Sequence, residues 1–143
     1  MSKNGLTLSI IKPDAVERNI TGKIITKLED AGLVVVAQKR MLLWLDFVQR
    51  FYSEHKERPF YEELCAFMIS GPVVVQALTG QGFDVVAKNR EVMGATDPAE
   101  AALGTIRREY GLSKGKNSVH GSDSAESAAR EVSFFFSQGE IFL

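Results

Sequence analysis

The chain holds one cysteine, two histidines and no apolar run long enough to cross a bilayer. Each shortage excludes something. Cys65 has no partner for an internal disulfide, and its place in an apolar helical run reads as a buried, reduced thiol in a cytoplasmic protein. A membrane helix needs about 20 consecutive apolar residues, and none is found. The opening Met-Ser-Lys-Asn-Gly leads straight into a strand-like pattern and leaves no room for a signal peptide. Neither Cys-x-x-Cys nor His-Glu-x-x-His occurs, so no dedicated zinc site is expected. A net charge of −1 lacks the excess that general binding to nucleic acid or anionic membrane requires. Any anionic ligand must therefore meet a local cluster of positive groups. No repeat and no linker interrupts the 143 residues, which are 45% apolar and 24% charged. They read as one domain, 1–143, able to bury a core without staples.

What is present is an alternation of patterns. Leu6, Leu8 and Ile10 alternate with Thr7 and Ser9, a strand that Pro13 ends. Thr21 is placed to cap a helix with apolar positions Ile24, Ile25, Leu28 and Ala31, and Gly32 stops it. The apolar, β-branched run from Leu33 to Ala37 starts a second strand that continues toward Met41. Two helical patterns follow, one on Phe47, Val48, Phe51 and Tyr52, the other after Pro59 on Leu64, Phe67 and Met68. Gly71-Pro72 opens a third strand, Val73 to Leu78. Residues 82–88 form a short helix. From about 94 to 119 the pattern fades among polar residues and four glycines, and a loop of that length is functional or mobile. A final helix spans about 124–132, and Phe134–Phe136 read as a last buried strand. Strands alternating with helices give an open α/β or α+β sheet with helices packed on it; the pattern leaves the strand order open.

Chemistry concentrates in residues 117–124, Asn-Ser-Val-His-Gly-Ser-Asp-Ser. Gly121 lets the backbone turn beside the imidazole of His120. Three small polar residues then open the last helix. Asp123 or Ser124 caps it, and Glu126, three residues after Asp123, completes a capping-box-like pattern. A helix N-terminus favours an anion. His120 thus stands beside a phosphate-type site, where a histidine can exchange a proton or take the phosphoryl group itself. On its own it reads equally as a surface histidine at a helix entrance. His55, within the charged segment Ser-Glu-His-Lys-Glu-Arg, reads as solvated. Lys12 ends an apolar strand, at an edge where sites are commonly built.

The stretch Asn-x-x-His-Gly-Ser-Asp (117–123) resembles the active-site signature of nucleoside diphosphate kinases. The likeness extends in order along nearly the whole chain: Leu-Ser-Ile-Ile-Lys-Pro-Asp (8–14), Arg-Pro-Phe (58–60), Ser-Gly-Pro-Val (70–73), Asn-Arg-x-x-Met-Gly-Ala-Thr (89–96), Gly-Thr-Ile-Arg (104–107) and Phe-Phe-Phe (134–136). The resemblance implies an α+β fold, a ferredoxin-like four-stranded antiparallel sheet covered by helices, with extra helices between the second and third strands and a long functional loop. It implies reversible transfer of the γ-phosphate from a nucleoside triphosphate, typically ATP, to a nucleoside diphosphate through a phosphohistidine at His120. Glu131 matches the carboxylate that fixes the tautomer, Ser122 the serine that supports this pair, and Tyr52 the tyrosine near the histidine. Lys12, Arg90 and Arg107 match the cationic phosphate ligands; Thr96 and Asn117 match neutral donors. Phe60 matches the ring on which the base stacks, a contact indifferent to the base's edges. Taken singly, most of these are ordinary surface or core residues. Mg²⁺ is implied by the substrate and is held mainly through nucleotide phosphates and water, so no protein ligands for it are named. The implied partners are nucleoside tri- and diphosphates and further copies of the chain, as a tetramer or a hexamer, with neither membrane nor specific nucleic acid.

Two segments depart from the pattern. Residues 78–89 are about two longer than in bacterial relatives. Lys114 stands where relatives often place an aliphatic residue over the second face of the base, and Leu112 is the nearest apolar side chain. Two rival readings are weaker. The glycines and Lys116 of 111–117 superficially suggest a P-loop, but three residues rather than four separate the glycines, and Asn117 replaces Ser or Thr. A non-catalytic nucleotide or nucleic-acid binding module would not need His120 beside every matching phosphate ligand.

Overall fold

Two central strands buried on both faces explain the architecture. The structure, a computed structural model, describes residues 5–143; the initial Met-Ser-Lys-Asn lies outside the described residues. Strand β1 (Thr7–Ile11) sends Leu8 and Ile10 to one face of the sheet and Ile11 to the other. Strand β3 (Val73–Thr79) does the same with Val73, Val75 and Ala77 against Val74 and Leu78. Both strands are buried along their whole length, so each face must be covered.

The covering elements come in chain order. A short helix α1 (Pro13–Glu17) follows β1 at once, with Pro13 in the first turn, where its missing N–H costs nothing. Helix α2 (Thr21–Asp30) then leads to β2 (Val34–Met41). Helices α3 (Leu45–Phe51) and α4 (Tyr61–Met68) lie between β2 and β3. After β3 come α5 (Val85–Met93) and the five-residue α6 (Ile106–Tyr110). Strand β4 (Val119–Gly121) and helix α7 (Ala125–Phe135) complete the order. The sheet runs β2-β3-β1-β4, with every pair antiparallel. This is the expected ferredoxin-like βαββαβ arrangement with two helices inserted between β2 and β3. Residues of α3, α4 and α7 pack on one face, and residues of α1, α2, α5 and α6 on the other.

Several local readings need correction. Phe134–Phe136 is not a strand: α7 continues to Phe135, because Ala128, Val132 and Phe135 are buried at helical spacing. The fourth strand is instead the three-residue β4, which contains His120, so His120 belongs to the sheet and not to a helix entrance. Of the two cap candidates Ser124 is the one that caps α7, and its box partner is Ser127 in place of the expected Glu126. Thr21 is the first residue of α2 and makes no capping bond; the cap position is Ile20. The helix expected at 82–88 runs from Val85 to Met93, with the Asp84 carboxylate accepting from the Ala87 N–H. The faded region of 94–119 contains α6 and a 3₁₀ turn at Pro98–Glu100. Cys65 is buried, as its apolar context predicts.

Candidate active site

His120 pairs with Ile10 across β1 and β4, so the two side chains share one face of the sheet. Ile10 faces the core built on α3, α4 and α7. The His120 ring accordingly packs edge-on against Phe51 at the end of α3, at 5.4 Å between centroids, and against Tyr52 at 5.9 Å. Two turns into α7, Glu131 comes under the same ring. Its Oε1 lies 2.9 Å from His120 Nε2 and accepts a second bond of 2.9 Å from the Ser122 hydroxyl. Ser122 also accepts from the Leu8 N–H, which ties the triad to the central strand. With Nε2 on the carboxylate, Nδ1 is the ring nitrogen left for chemistry.

Gly121 makes this arrangement possible. A side-chain carbon there would collide with Met93 Sδ and Asn89 Nδ2 of α5. Strand β4 therefore rests directly on the helix that carries Arg90, and Arg90 donates to the Gly121 carbonyl at 3.4 Å.

His120 lines a cavity of about 740 Å³. Lys12, Arg90, Thr96, Arg107 and Asn117 line it too, as do Tyr52 and Phe60. Of the ten residues singled out from the sequence, eight reach this cavity; the other two, Ser122 and Glu131, stand behind the imidazole. Lys12 donates to Asn117 Oδ1 at 2.9 Å, and Asn117 in turn donates to the Thr96 carbonyl at 3.0 Å. Arg107 is buried and donates to the carbonyls of Gly94 and Val119. Burial, with Arg107 nearby, lowers the Lys12 pKa to about 8, while Asp14 opposes the shift. Burial, with Arg90 nearby, lowers that of Arg107 to about 10. Tyr52 is pushed up by burial and by the Glu131 charge, so its hydroxyl keeps its proton. A wall of partly desolvated cations and amides around an oriented imidazole is suited to phosphoryl groups.

Toward the mouth the wall changes character. Phe60 is 46% exposed. Leu64 and Phe67 lie beside it on the cavity wall, with Ser113, Lys114 and Gly115 also lining the space. Leu112 is exposed and outside the lining; Lys114 is within it. His55, read as solvated, is a correction. It is half-buried, its Nδ1 is shielded without a partner, and it packs between the Tyr52 and Phe60 rings along the cavity wall. The sequence reading missed it because a helical end in a charged segment resembles open surface; its spacing of three from Tyr52 was the available signal.

Fold and cavity together define a phosphoryl-transfer enzyme. The sequence model described as nucleoside diphosphate kinase matches residues 6–141. Among relatives, the nucleoside diphosphate kinase of Paracoccus denitrificans (strain Pd 1222) is 65% identical over 135 residues, 94% of this chain and 95% of the relative. That of Jannaschia sp. (strain CCS1) is 62% identical over the same shares. The Aquifex aeolicus nucleoside diphosphate kinase superimposes with a TM-score of 0.93 at 43% identity, covering 97% of this chain and 99% of that one. A halophilic nucleoside diphosphate kinase from Halobacterium salinarum, solved in complex with CDP, gives 0.93 at 38% identity, covering 99% and 93%. The chain belongs to the nucleoside diphosphate kinase family. It is a phosphotransferase that moves the γ-phosphate from nucleoside triphosphates to nucleoside diphosphates.

Proposed function

We propose that His120 Nδ1 carries the phosphoryl group between two half-reactions that use one cavity. The observation that supports this most directly is the bond from Nε2 to Glu131, which leaves one oriented lone pair facing a cationic wall. In the first half-reaction, Nδ1 attacks the γ-phosphorus of the triphosphate, a new N–P bond forms, and the bond to the bridging oxygen breaks. The diphosphate leaves with that oxygen's electron pair. The Nε2 proton stays in the hydrogen bond, and Glu131 stabilises the charge that the ring gains. Ser122 holds Glu131 in place. Lys12, Arg90 and Arg107 counter the phosphate charge as it moves, Thr96 and Asn117 supply neutral contacts, and Tyr52 braces the ring. An acceptor diphosphate then reverses the step.

Phe60 offers a face for the base, which fits a broad acceptor range that includes cytosine as well as the purines. The inner wall supplies cations and amides; among the described residues no three His, Cys, Asp or Glu side chains converge as a metal cage. That donor set fits Mg²⁺ arriving on the nucleotide and bound through phosphate oxygens and water. The ion would supply charge neutralisation between the phosphates. The whole chain, 1–143, is the functional unit. It works as a homo-oligomer, tetramer or hexamer, in the cytoplasm; among the described residues no helix is long and apolar enough to cross a membrane.

The test is incubation with γ-labelled triphosphate. Wild type should take up acid-labile label on histidine, and His120→Ala should lose both label and steady-state transfer. Double-reciprocal plots should be parallel. Label on histidine in the variant, or intersecting lines across several donor–acceptor pairs, would sink the assignment.

A further inference from the structure

Asp14 closes the motif Lys-Pro-Asp (12–14) yet takes no part in the transfer described above. It is 5% exposed, and both carboxylate oxygens are shielded from solvent without a hydrogen-bond partner. A carboxyl group so placed needs a neighbouring charge or its proton. The neighbour is Lys12, two residues earlier at the strand–helix corner and 7% exposed. The Lys12 ammonium is bonded only to a neutral amide oxygen, that of Asn117. Arg107 of α6 adds a like charge and is itself bonded only to backbone carbonyls. Burial and Arg107 both favour the free amine at Lys12, and Asp14 opposes them.

Burial raises the Asp14 pKa; Lys12, then the nearby backbone N–H groups and Arg18, oppose that shift without cancelling it. Ser118 is fully buried in the left-handed region at φ 76°, and its carbonyl accepts from the Lys12 N–H at 2.9 Å. One buried acid thus follows Lys12 by two residues, at the corner where the Lys12 N–H bonds to the residue after Asn117. Tyr52, Arg90 and His120 line the same cavity as Lys12, as do His55, Glu63, Lys114 and Lys116.

We propose that Asp14 is a positioning residue for phosphoryl transfer: its buried carboxylate, behind the cavity wall, keeps Lys12 an ammonium that faces the incoming phosphate. This rests on the reading of Lys12 as a phosphate ligand. Asp14→Asn keeps the shape and removes the charge. At pH 6 its kcat/KM should stay within a fewfold of wild type. The alkaline limb should move to lower pH, so that the deficit grows to roughly tenfold or more near pH 9. Asp14→Glu should restore most of the wild-type limb. In a Lys12→Arg background, where the side chain cannot lose its proton, Asp14→Asn should add no pH-dependent deficit.

A second measurement does not depend on turnover. The pH at which Lys12 becomes reactive toward acetic anhydride, read by peptide mass spectrometry on the intact folded enzyme, should fall in Asp14→Asn. If that pH is unchanged, the proposal is wrong even if activity drops. If it falls while the kcat/KM profiles stay parallel, Asp14 sets the charge of Lys12 but Lys12 is not the phosphate ligand, and the proposal fails through that reading. Should neither Asp14→Asn nor Asp14→Ser fold, the carboxylate serves the fold and the proposal is likewise overturned.

Discussion

At the scale of single residues, the base end of the cavity is where this chain departs from expectation. Phe60 presents a ring, and Lys114 takes the place of an aliphatic cover, its four methylenes available as a wall and its ammonium as a donor. Phe60→Ala should weaken binding of adenine and guanine diphosphates alike, by about 1–3 kcal/mol on the scale of base stacking. Lys114→Ile should reduce any preference for guanine, whose O6 and N7 are both acceptors, and leave turnover intact. The ratio of kcat/KM for the two acceptors, compared between wild type and variant, checks this; an unchanged ratio means that the ammonium reads no base edge. Site chemistry was legible in the sequence wherever a motif fixed a residue against its neighbours, as in Asn117, His120 and Ser122. It failed at His55, because a charged flank hides the fact that one imidazole edge can fold inward between two rings. Asp14 also escaped notice: its role depends on burial, which no local pattern states.

At the scale of elements, β4 was the hardest to read. Three residues, one a histidine and one a glycine, carry almost no strand signal, and only pairing with β1 makes them a strand. The three consecutive phenylalanines were a false signal for the opposite reason. They are apolar enough for a buried strand, yet the spacing from Ala128 through Val132 to Phe135 is helical. Longer elements with clean periods, β1, β3 and α2, lie close to where alternation and apolar spacing put them. The weak strand is held by close contact with α5, so its stability should depend on Gly121. Gly121→Ala drives a methyl group into Met93 and Asn89. It should cost about 1–3 kcal/mol, read as a lower denaturation midpoint, together with a disproportionate loss of turnover as His120 and Arg90 shift apart. A variant as stable as wild type would show that α5 can yield.

For the molecule as a whole, the buried cations set a cost that the fold must carry. Lys12 titrates at about 8 in the folded chain against an ordinary 10.5. Between those values the unfolded chain holds more protons, so this group makes stability rise with pH across that window. Below pH 8 its full penalty applies, on the order of 3 kcal/mol from the size of the shift. Lys12→Met combined with Asp14→Asn, which removes both buried charges, should therefore stabilise the protein at pH 7 by about 1–3 kcal/mol while abolishing most transfer. The gain over wild type should shrink toward pH 10. A variant less stable than wild type at pH 7 would mean that its bond to Asn117 outweighs its desolvation.

The inner wall of the cavity has a consequence in the life of the protein. The hydrogen bonds of Lys12 and Arg107 go only to neutral oxygens until phosphate arrives, so the substrate brings the wall counter-charge within bonding distance. A nucleotide at a hundred times its dissociation constant should add about 2.7 kcal/mol. Proteolysis that attacks the transiently opened chain follows the population of that open form. Copies working in a nucleotide-rich compartment should then outlast idle ones by up to about a hundredfold in susceptibility. The abundance of the enzyme would follow the supply of its own substrates without any dedicated regulator.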